Sequence, residues 1–410
     1  MKNIASSLFV ASAVQSVTLA APAGQDEALS KRLENGLGRT PALGYNNWVS
    51  CTHATAASAL SVADLLVSLG LKDAGYTYLN IDDCWSSKQR NSSGYLVPDP
   101  SKWPQGMKAV VDQVHAKGLK FGLYGDAGTM TCAGWPGSQG HEEQDAKTIA
   151  SWGVDYWKHD ACYTPCSTGG VPQTCWTPQS PTQSYYSKMR DALAKSGRPI
   201  LFSMCQWGRD SVWTWGKDYG NSWRMSGDIA NSWNSLASIA ATAAGIAQYS
   251  APGGFNDLDM LQVGNGGLNE NEERAHVGLW MIAKSPILIG TDLSKLKQST
   301  LTILKNKALI AINQDKLGKA ATYFRPSGKP APVNGKLYPY WAGALSDGVV
   351  VGLVAADGAA TLSFNFSDVP GLGSGNWSWT EAFTGATGSG TSISAQLGSH
   401  DMRVYKITKA

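Results

Sequence analysis

The 410-residue sequence predicts a parallel (β/α)8 barrel of the TIM type followed by an antiparallel β-sandwich. Three observations carry this reading. Eight short apolar runs, each ending in polar residues, recur between Leu43 and Asp292. Segments with apolar residues at helical spacing separate them. After Gln314 the pattern changes to short alternating runs broken by Gly, Ser, Asp and Asn, as in a sandwich.

In order, the predicted strands cover 43–48, 76–83, 119–126, 154–160, 200–207, 222–228, 253–260 and 286–292. Helical spacing between them is seen in Leu60, Ala63, Leu66 and Val67; in Val110, Val111 and Val114, with Gly118 as a stop; and in Ala275, Leu279 and Ile282 ahead of Pro286. Strand and helix alternating over about 270 residues fit a closed barrel. A doubly wound open sheet fits less well, because no Gly-x-Gly-x-x-Gly loop follows the first strand. Strand candidates in the C-terminal part are 337–341, 349–354 and 402–407. The expected organisation is a barrel over 33–314 and a sandwich over 315–410.

Residues 1–20 read as a signal peptide: Lys2 supplies the positive charge, residues 4–14 are apolar, and Thr18-Leu19-Ala20 ends in a small residue. An apolar run of roughly ten residues is too short to span a bilayer. No other stretch is long and apolar enough, so no membrane span is expected. Residues 21–32, ending in the dibasic pair Lys31-Arg32, are a candidate propeptide. Export implies an oxidising compartment, in which the seven cysteines are mostly paired and one is left over. Cys51 with Cys84, Cys132 with Cys162 and Cys166 with Cys175 would leave Cys205, but six cysteines allow 15 arrangements and spacing alone does not choose. Asn91, Asn365 and Asn376 head glycosylation sequons.

The formal net charge of +3 is spread thinly, which argues against a nucleic-acid or membrane-surface partner. Sixteen Trp against eight Phe is an unusual balance, and the flat indole face with its N–H suits sugar rings. The predicted strands end in Asp82, Asp83, Asp126, Lys158, Asp160, Arg224, Asp228, Asp257, Asp259 and Asp292. In a (β/α)8 barrel the site lies at this end, and so many strand-end charges are costly for purely structural purposes. Lys158 and Asp160 share a strand face with His159 turned away; Arg224, Ser226 and Asp228 share another, as do Cys205 and Trp207. Six His with no His-x-His or His-Glu-x-x-His spacing give no metal centre. Asp160 beside Lys158 would keep its ammonium charged, against Schiff-base chemistry. Carboxylates facing each other from the fourth and sixth strands suit glycoside hydrolysis without a cofactor. Lys158 would favour the ionised form of Asp160 and mark it as the nucleophile.

Taken together, Asn46-Asn47-Trp48, Asp82-Asp83-Cys84-Trp85, Lys158-His159-Asp160-Ala161-Cys162, Cys205-Gln206-Trp207-Gly208, Arg224-Met225-Ser226-Gly227-Asp228 and Asp257-Leu258-Asp259-Met260 closely resemble glycoside hydrolase family 27, the α-galactosidases or melibiases of fungi and plants. The resemblance runs from about Leu43 to Asp315. It implies a retaining enzyme acting on α-galactosides such as melibiose, raffinose-type oligosaccharides or galactomannan side chains. Asp160 would be the nucleophile and Asp228 the acid/base. Asp82 and Asp83 would bind the galactose 4- and 6-hydroxyls and Lys158 the 3- and 4-hydroxyls. Arg224 would lie near the 2- and 3-hydroxyls and Cys205 near the 2-hydroxyl, with Trp48, Tyr124, Trp207 and Met260 as the apolar wall. It also implies the disulfides Cys51–Cys84 and Cys132–Cys162. Tyr45, Asn47, His159, Ala161 and Gly227 depart from the common family pattern without removing a catalytic group. Within the family, an α-N-acetylgalactosaminidase would carry smaller residues around Cys205, and a β-L-arabinopyranosidase would alter the second of the Asp82-Asp83 pair. A non-catalytic galactose-binding protein would be expected to have lost Asp160 or Asp228. The sequence carries no sign of oligomeric state.

Overall fold

The computed structural model describes residues 33–48, 51–164 and 182–410; the expected signal peptide and propeptide, Cys166 and Cys175 lie outside them. Eight parallel strands form one curled sheet: β1 (Leu43–Asn46), β2 (Tyr78–Ile81), β3 (Lys120–Asp126), β4 (Tyr156–Asp160), β5 (Leu201–Met204), β6 (Ser222–Arg224), β7 (Phe255–Asp257) and β8 (Ile287–Ile289). Their order in the sheet is β7-β6-β5-β4-β3-β2-β1-β8. A parallel bridge between Leu261 and Ile289 brings the two ends together.

The helices are α1 (Ala56–Ser68), α2 (Met107–Ala116), α3 (Glu142–Trp152), α4 (Thr182–Ala194), α5 (Trp233–Gly245), α6 (Glu270–Ile282), α7 (Gln298–Leu304) and α8 (Lys307–Asn313). Among the described residues, each β-to-β crossover carries one α-helix except that between β5 and β6, which has 3-10 turns at Arg209–Thr214 and Gly216–Asp218. Sequence spacing puts the buried face of α1 on Leu60, Ala63, Leu66 and Val67. The helix instead buries Ala59, Ala63 and Leu66, and Val67 points outward. The i, i+4, i+7 series with two alanines brings the helix close to the sheet. α6 starts with a capping box, Asn269 and Glu272, and is buried all round from Ala275 to Ile282. It has no solvent face because β11 and β16 of the C-terminal part cover it.

That part contains β9 (Thr322–Tyr323), β10 (Tyr340–Leu345), β11 (Gly348–Val354), β12 (Ala360–Asn365), β13 (Trp377–Glu381), β14 (Thr387–Gly390), β15 (Ser392–Leu397) and β16 (Met402–Lys409). A six-stranded antiparallel sheet, β14-β13-β16-β11-β10-β9, accompanies the pair β12-β15. The unbroken apolar run of β11 serves two cores. Val349, Val351 and Leu353 pack with Phe364, Phe366 and Ile393, whereas Val350 and Val354 join Trp341, Met402 and Val404 in the barrel's own core. Among the described residues no helix is long and apolar enough to cross a membrane.

All eight predicted barrel strands are present but shorter than expected; β3 and β4 keep their terminal Asp126 and Asp160, whereas the polar ends of the other six belong to loops. Trp207 and Asp228 therefore do not reach the site by strand alternation from Cys205 and Arg224, as the sequence suggests, and Ser226 does not line the cleft. Loop backbone brings Trp207 and Asp228 there, with Trp207 at φ +57°. The packing between β1 and β2 is tight: a Cβ on Gly44 would stand 2.2 Å from the Tyr78 carbonyl oxygen and 2.7 Å from Tyr78 Cβ. Gly44→Ala is expected to destabilise the protein by about 1–3 kcal/mol, read as a lower melting temperature. Unchanged melting would contradict this close approach.

Candidate active site

The loops after the strands build a cleft of ≈ 610 Å³ at the C-terminal end of the barrel. Its wall includes Trp48, Asp82, Tyr124, Lys158, Asp160, Cys205, Trp207, Arg224, Asp228 and Met260, every expected catalytic or sugar-binding residue except Asp83; of the other strand-end charges, Asp126, Asp257 and Asp292 lie outside it. A larger groove of ≈ 760 Å³ beside the start of β5, with Arg190 and Arg198 in its wall, holds none of the strand-end carboxylates.

One side of the cleft is organised around Lys158. Its ammonium pairs with Asp82 at 2.7 Å and lies 5.2 Å from the Tyr124 ring centre. Asn46 Nδ2 donates to Asp82 Oδ2 at 2.7 Å, and the Asp82 N–H donates to Asn47 Oδ1 at 2.6 Å. These two asparagines position Asp82; they stand in the first motif, but nothing in the sequence marks them out as site residues. Burial works against the Lys158 ammonium, yet the charge of Asp82, joined by Cys205 and Asp160, outweighs it and holds the pKa above the ordinary lysine value. Asp83 is buried, accepting from the Cys84 N–H at 2.6 Å and from the Ala133 N–H at 3.0 Å. Its carboxylate is engaged with backbone and anchors the loop that follows β3.

Asp160, at the end of β4, is fixed on both oxygens. The Tyr124 hydroxyl donates to Oδ2 at 2.9 Å and the Ala161 N–H to Oδ1 at 3.0 Å. His159, next to it, faces outward, accepting from the Trp157 indole at 3.0 Å and packing against Tyr186 and Phe202. Lys158 favours the ionised form of Asp160, as expected from sequence, but it is not the largest influence. Burial is the largest effect and pushes the Asp160 pKa up to about 6, against the opposing pull of Lys158, the Tyr124 hydroxyl and the Ala161 N–H. Lys158 spends its direct contact on Asp82 instead.

The other side is organised around Arg224. Its guanidinium pairs with Asp228 at 2.8 Å and with Asp259 at 2.8 Å, and Nη1 lies 3.8 Å from Cys205 Sγ. The Asp228 side chain is 74% exposed, and that of Asp259 only 7%. Partial burial would raise the Asp228 pKa, but the charge and hydrogen bond of Arg224, with Lys158 and the Trp207 indole, hold it below the usual carboxylate value. Asp259, Ile229 and Gln262 also line the cleft. Asp259 is legible as a strand-end carboxylate; Ile229 and Gln262 belong to loops and carry no sequence signal.

Disulfides Cys51–Cys84 and Cys132–Cys162 tie neighbouring loops together, and Cys205 is buried and free. Asp126, Cys132, Asp160 and Cys162 bring potential ligand atoms within 4.8 Å of one another. Both sulfurs are in a disulfide, so no thiolate is available to a metal there.

A native pKa raised from 3.8 to about 6 means that ionising Asp160 costs stability. The penalty is absent below pH 3.8, develops between there and pH 6, and is full above. Asp160→Asn, which mimics the neutral acid, is therefore expected to be more stable than wild type by on the order of 1–3 kcal/mol at pH 7.5 and nearly equal to it at pH 3.5. Denaturant unfolding at the two pH values checks this; a gain independent of pH would reject it.

Residues 49–315 match the sequence model of the family described as alpha galactosidase A, and residues 336–407 that of the alpha galactosidase C-terminal beta sandwich domain. The α-galactosidase of Cyamopsis tetragonoloba is 43% identical over 387 residues, covering 92% of this chain and 88% of that protein. The crystal structure of α-galactosidase I from Mortierella vinacea is similar with a TM-score of 0.83 at 34% identity, over 92% of this chain and 99% of that one. The structure of the Saccharomyces cerevisiae α-galactosidase with raffinose has a TM-score of 0.81 at 31% identity, over 92% and 99% of the two chains. With the barrel and the C-terminal antiparallel domain falling on these two matched ranges, the chain belongs to the α-galactosidase family, the melibiases.

Proposed function

We propose that this chain is a retaining α-galactosidase that releases terminal α-D-galactose, with Asp160 as nucleophile and Asp228 as acid/base. The observation that carries the assignment is the contrast between the two carboxylates across one cleft. Asp160 is buried and held by Tyr124 and Ala161 N–H, whereas Asp228 is exposed at the mouth. A nucleophile has to be fixed against the anomeric carbon. An acid/base has to reach the leaving oxygen and then water. Attack by Asp160 Oδ on the anomeric carbon forms an ester as the glycosidic C–O bond breaks and Asp228 protonates the leaving oxygen. Water, giving its proton to Asp228, then displaces Asp160 and releases galactose.

Asp82 and Lys158, already paired with each other, offer an acceptor and a donor to hydroxyls on one side of the ring. Arg224 and Cys205 sit on the side assigned to the 2-hydroxyl. Asp83 acts through the loop it anchors rather than from the cleft wall, consistent with its backbone contacts. In the resting site Arg224 holds Asp228 ionised, so its acid role needs part of the Arg224 hydrogen bonding to pass to the substrate. A galactose 2-hydroxyl accepting from Arg224 would do this. Melibiose, raffinose-type oligosaccharides and galactomannan side chains are the candidate natural substrates; the yeast relative's structure contains raffinose. We place the barrel domain at 33–314 and the sandwich domain at 315–410, after removal of residues 1–20 and cleavage following Arg32. Secretion is supported by the N-terminal pattern and the two disulfides, and glycosylation by the exposure of Asn91, Asn365 and Asn376.

Initial rates on p-nitrophenyl α-D-galactopyranoside, the matching α-N-acetylgalactosaminide and the β-L-arabinopyranoside test the reading. The galactoside is expected to be preferred by at least about tenfold, since the site would lose or crowd a buried polar contact with either rival. Asp160→Asn is expected to lose turnover by on the order of 10³-fold or more while still binding galactose. Preference for a rival would overturn the 2- or 6-position assignment, and near-normal turnover by Asp160→Asn would overturn the nucleophile.

A further inference from the structure

Asp259 lies just beyond β7 and touches both the loop that carries Asp228 and the cation that pairs with it. Its Oδ2 pairs with Arg224 at 2.8 Å and accepts from the N–H of Ile229, the residue after Asp228, at 2.9 Å. Its Oδ1 accepts from the Met260 N–H at 2.7 Å. Its carbonyl accepts from the Trp280 indole of α6 at 2.8 Å, and its own N–H donates to Asp257 Oδ1 at 2.8 Å. These contacts over-determine a backbone at φ +79°, a region that L residues seldom occupy and that persists where the surroundings enforce it.

We propose that Asp259 is a positioning residue for acid/base catalysis: it is the permanent counter-ion of Arg224 and frees Asp228 to change protonation state during turnover. The proposal rests on the reading of Asp228 as acid/base. Each catalytic cycle takes a proton from Asp228 to the leaving oxygen and returns one from water. Whenever Asp228 is neutral, its ion pair with Arg224 is gone. A guanidinium as buried as that of Arg224, whose side chain is only 6% exposed, would then keep no directly paired carboxylate but Asp259. Asp259, almost as buried, meets the same guanidinium nitrogen and stays in place because backbone N–H groups hold both of its oxygens. The exposed partner can therefore titrate while the buried one does not have to.

Facing Asp228 and Arg224 are Lys158 and Asp160 of β4, Cys205 and the Trp207 indole after β5, and Asp257 and Asp259 at the end of β7. Removing the Asp259 charge leaves Arg224 to Asp228 more fully and deletes a nearby negative charge. Both changes favour the ionised form of Asp228.

The test compares wild type, Asp259→Asn and Asp259→Glu on an alkyl α-galactoside, which needs acid assistance, and on 2,4-dinitrophenyl α-galactoside, which needs little. Asp259→Asn is expected to lose at least about tenfold more kcat on the alkyl substrate than on the dinitrophenyl one. The basic limb of its kcat profile on the alkyl substrate should move about one pH unit lower. Asp259→Glu, which keeps the charge but alters the geometry, is expected to leave that limb in place even if kcat falls. Equal losses on both substrates, an unmoved limb in Asp259→Asn, or a Glu variant whose limb shifts would each overturn the proposal. If Asp259→Asn fails to fold, Asp259→Ser, which also removes the charge, takes its place with the same expected and overturning results. Asp228→Ala serves as the control for the underlying reading: a leaving-group dependence together with rescue by azide supports it. A flat response there would strike the acid/base assignment itself, separately from any role of Asp259.

Discussion

Lys158 and Arg224 are cations withdrawn from water at one end of the barrel, and the need to give each a carboxylate partner arranges the site around them. Lys158 takes Asp82, which in turn is held by Asn46 and Asn47. Arg224 takes Asp259 and Asp228. A buried charge left unpaired costs several kcal/mol, so these pairings leave few alternative positions for the loops that supply them. What remains is Asp160, buried without a directly paired cation and held by a hydroxyl and a backbone N–H. Burial disfavours its charged form, and it is the carboxylate assigned the attacking role. Sites of catalysis are where such costs are tolerated.

The barrel is legible in the sequence because its signal is redundant: eight strands, each short and apolar, each ending in a polar tail. The tail misleads only on detail. Polar residues after a strand read as its continuation, and pleat alternation then extends to Trp207 and Asp228, which loops position instead. The residue types of the site are legible for a different reason. Charges at strand ends are expensive, so their presence at successive strands points to chemistry even before any family resemblance. Ile229 and Gln262 come from loops whose shape has no periodic code. The buried face of α1 differs from the one its spacing suggests, because Val67 is more hydrophobic than Ala59 but alanine permits closer packing.

The sequence gives the direction in which Lys158 and Asp160 act on each other, but not the net outcome at Asp160. Proximity of Lys158 to Asp160 in the chain suggests a pair and a depressed Asp160 pKa. Once the fold is known, Asp82 from a neighbouring strand outcompetes Asp160 for that ammonium, and burial decides the sign. Sequence adjacency on a strand gives a shared face; it does not say which partner from the next strand arrives first. The C-terminal sheet illustrates the same limit. Its alternating pattern is visible, but that β11 and β16 would bury α6 on its remaining side depends on how two elements dock.

In the resting site the proton affinities run opposite to the assigned roles, since Asp160 is raised and Asp228 lowered. The empty cleft thus favours a neutral Asp160 beside an ionised Asp228. The arrangement is productive if the substrate itself reverses the order. A sugar filling the cleft displaces water from Asp228, which disfavours its charge, and a hydroxyl that accepts from Arg224 weakens the pair that held it ionised. Negative charge on Asp160, in turn, is consumed as the ester forms at a carbon that is gaining positive character. On the proposed roles, the binding energy of the galactose hydroxyls would go into redistributing one proton between the two carboxylates. Specificity at the 2-position and the rate of the acid-assisted step depend, on this account, on the same arginine.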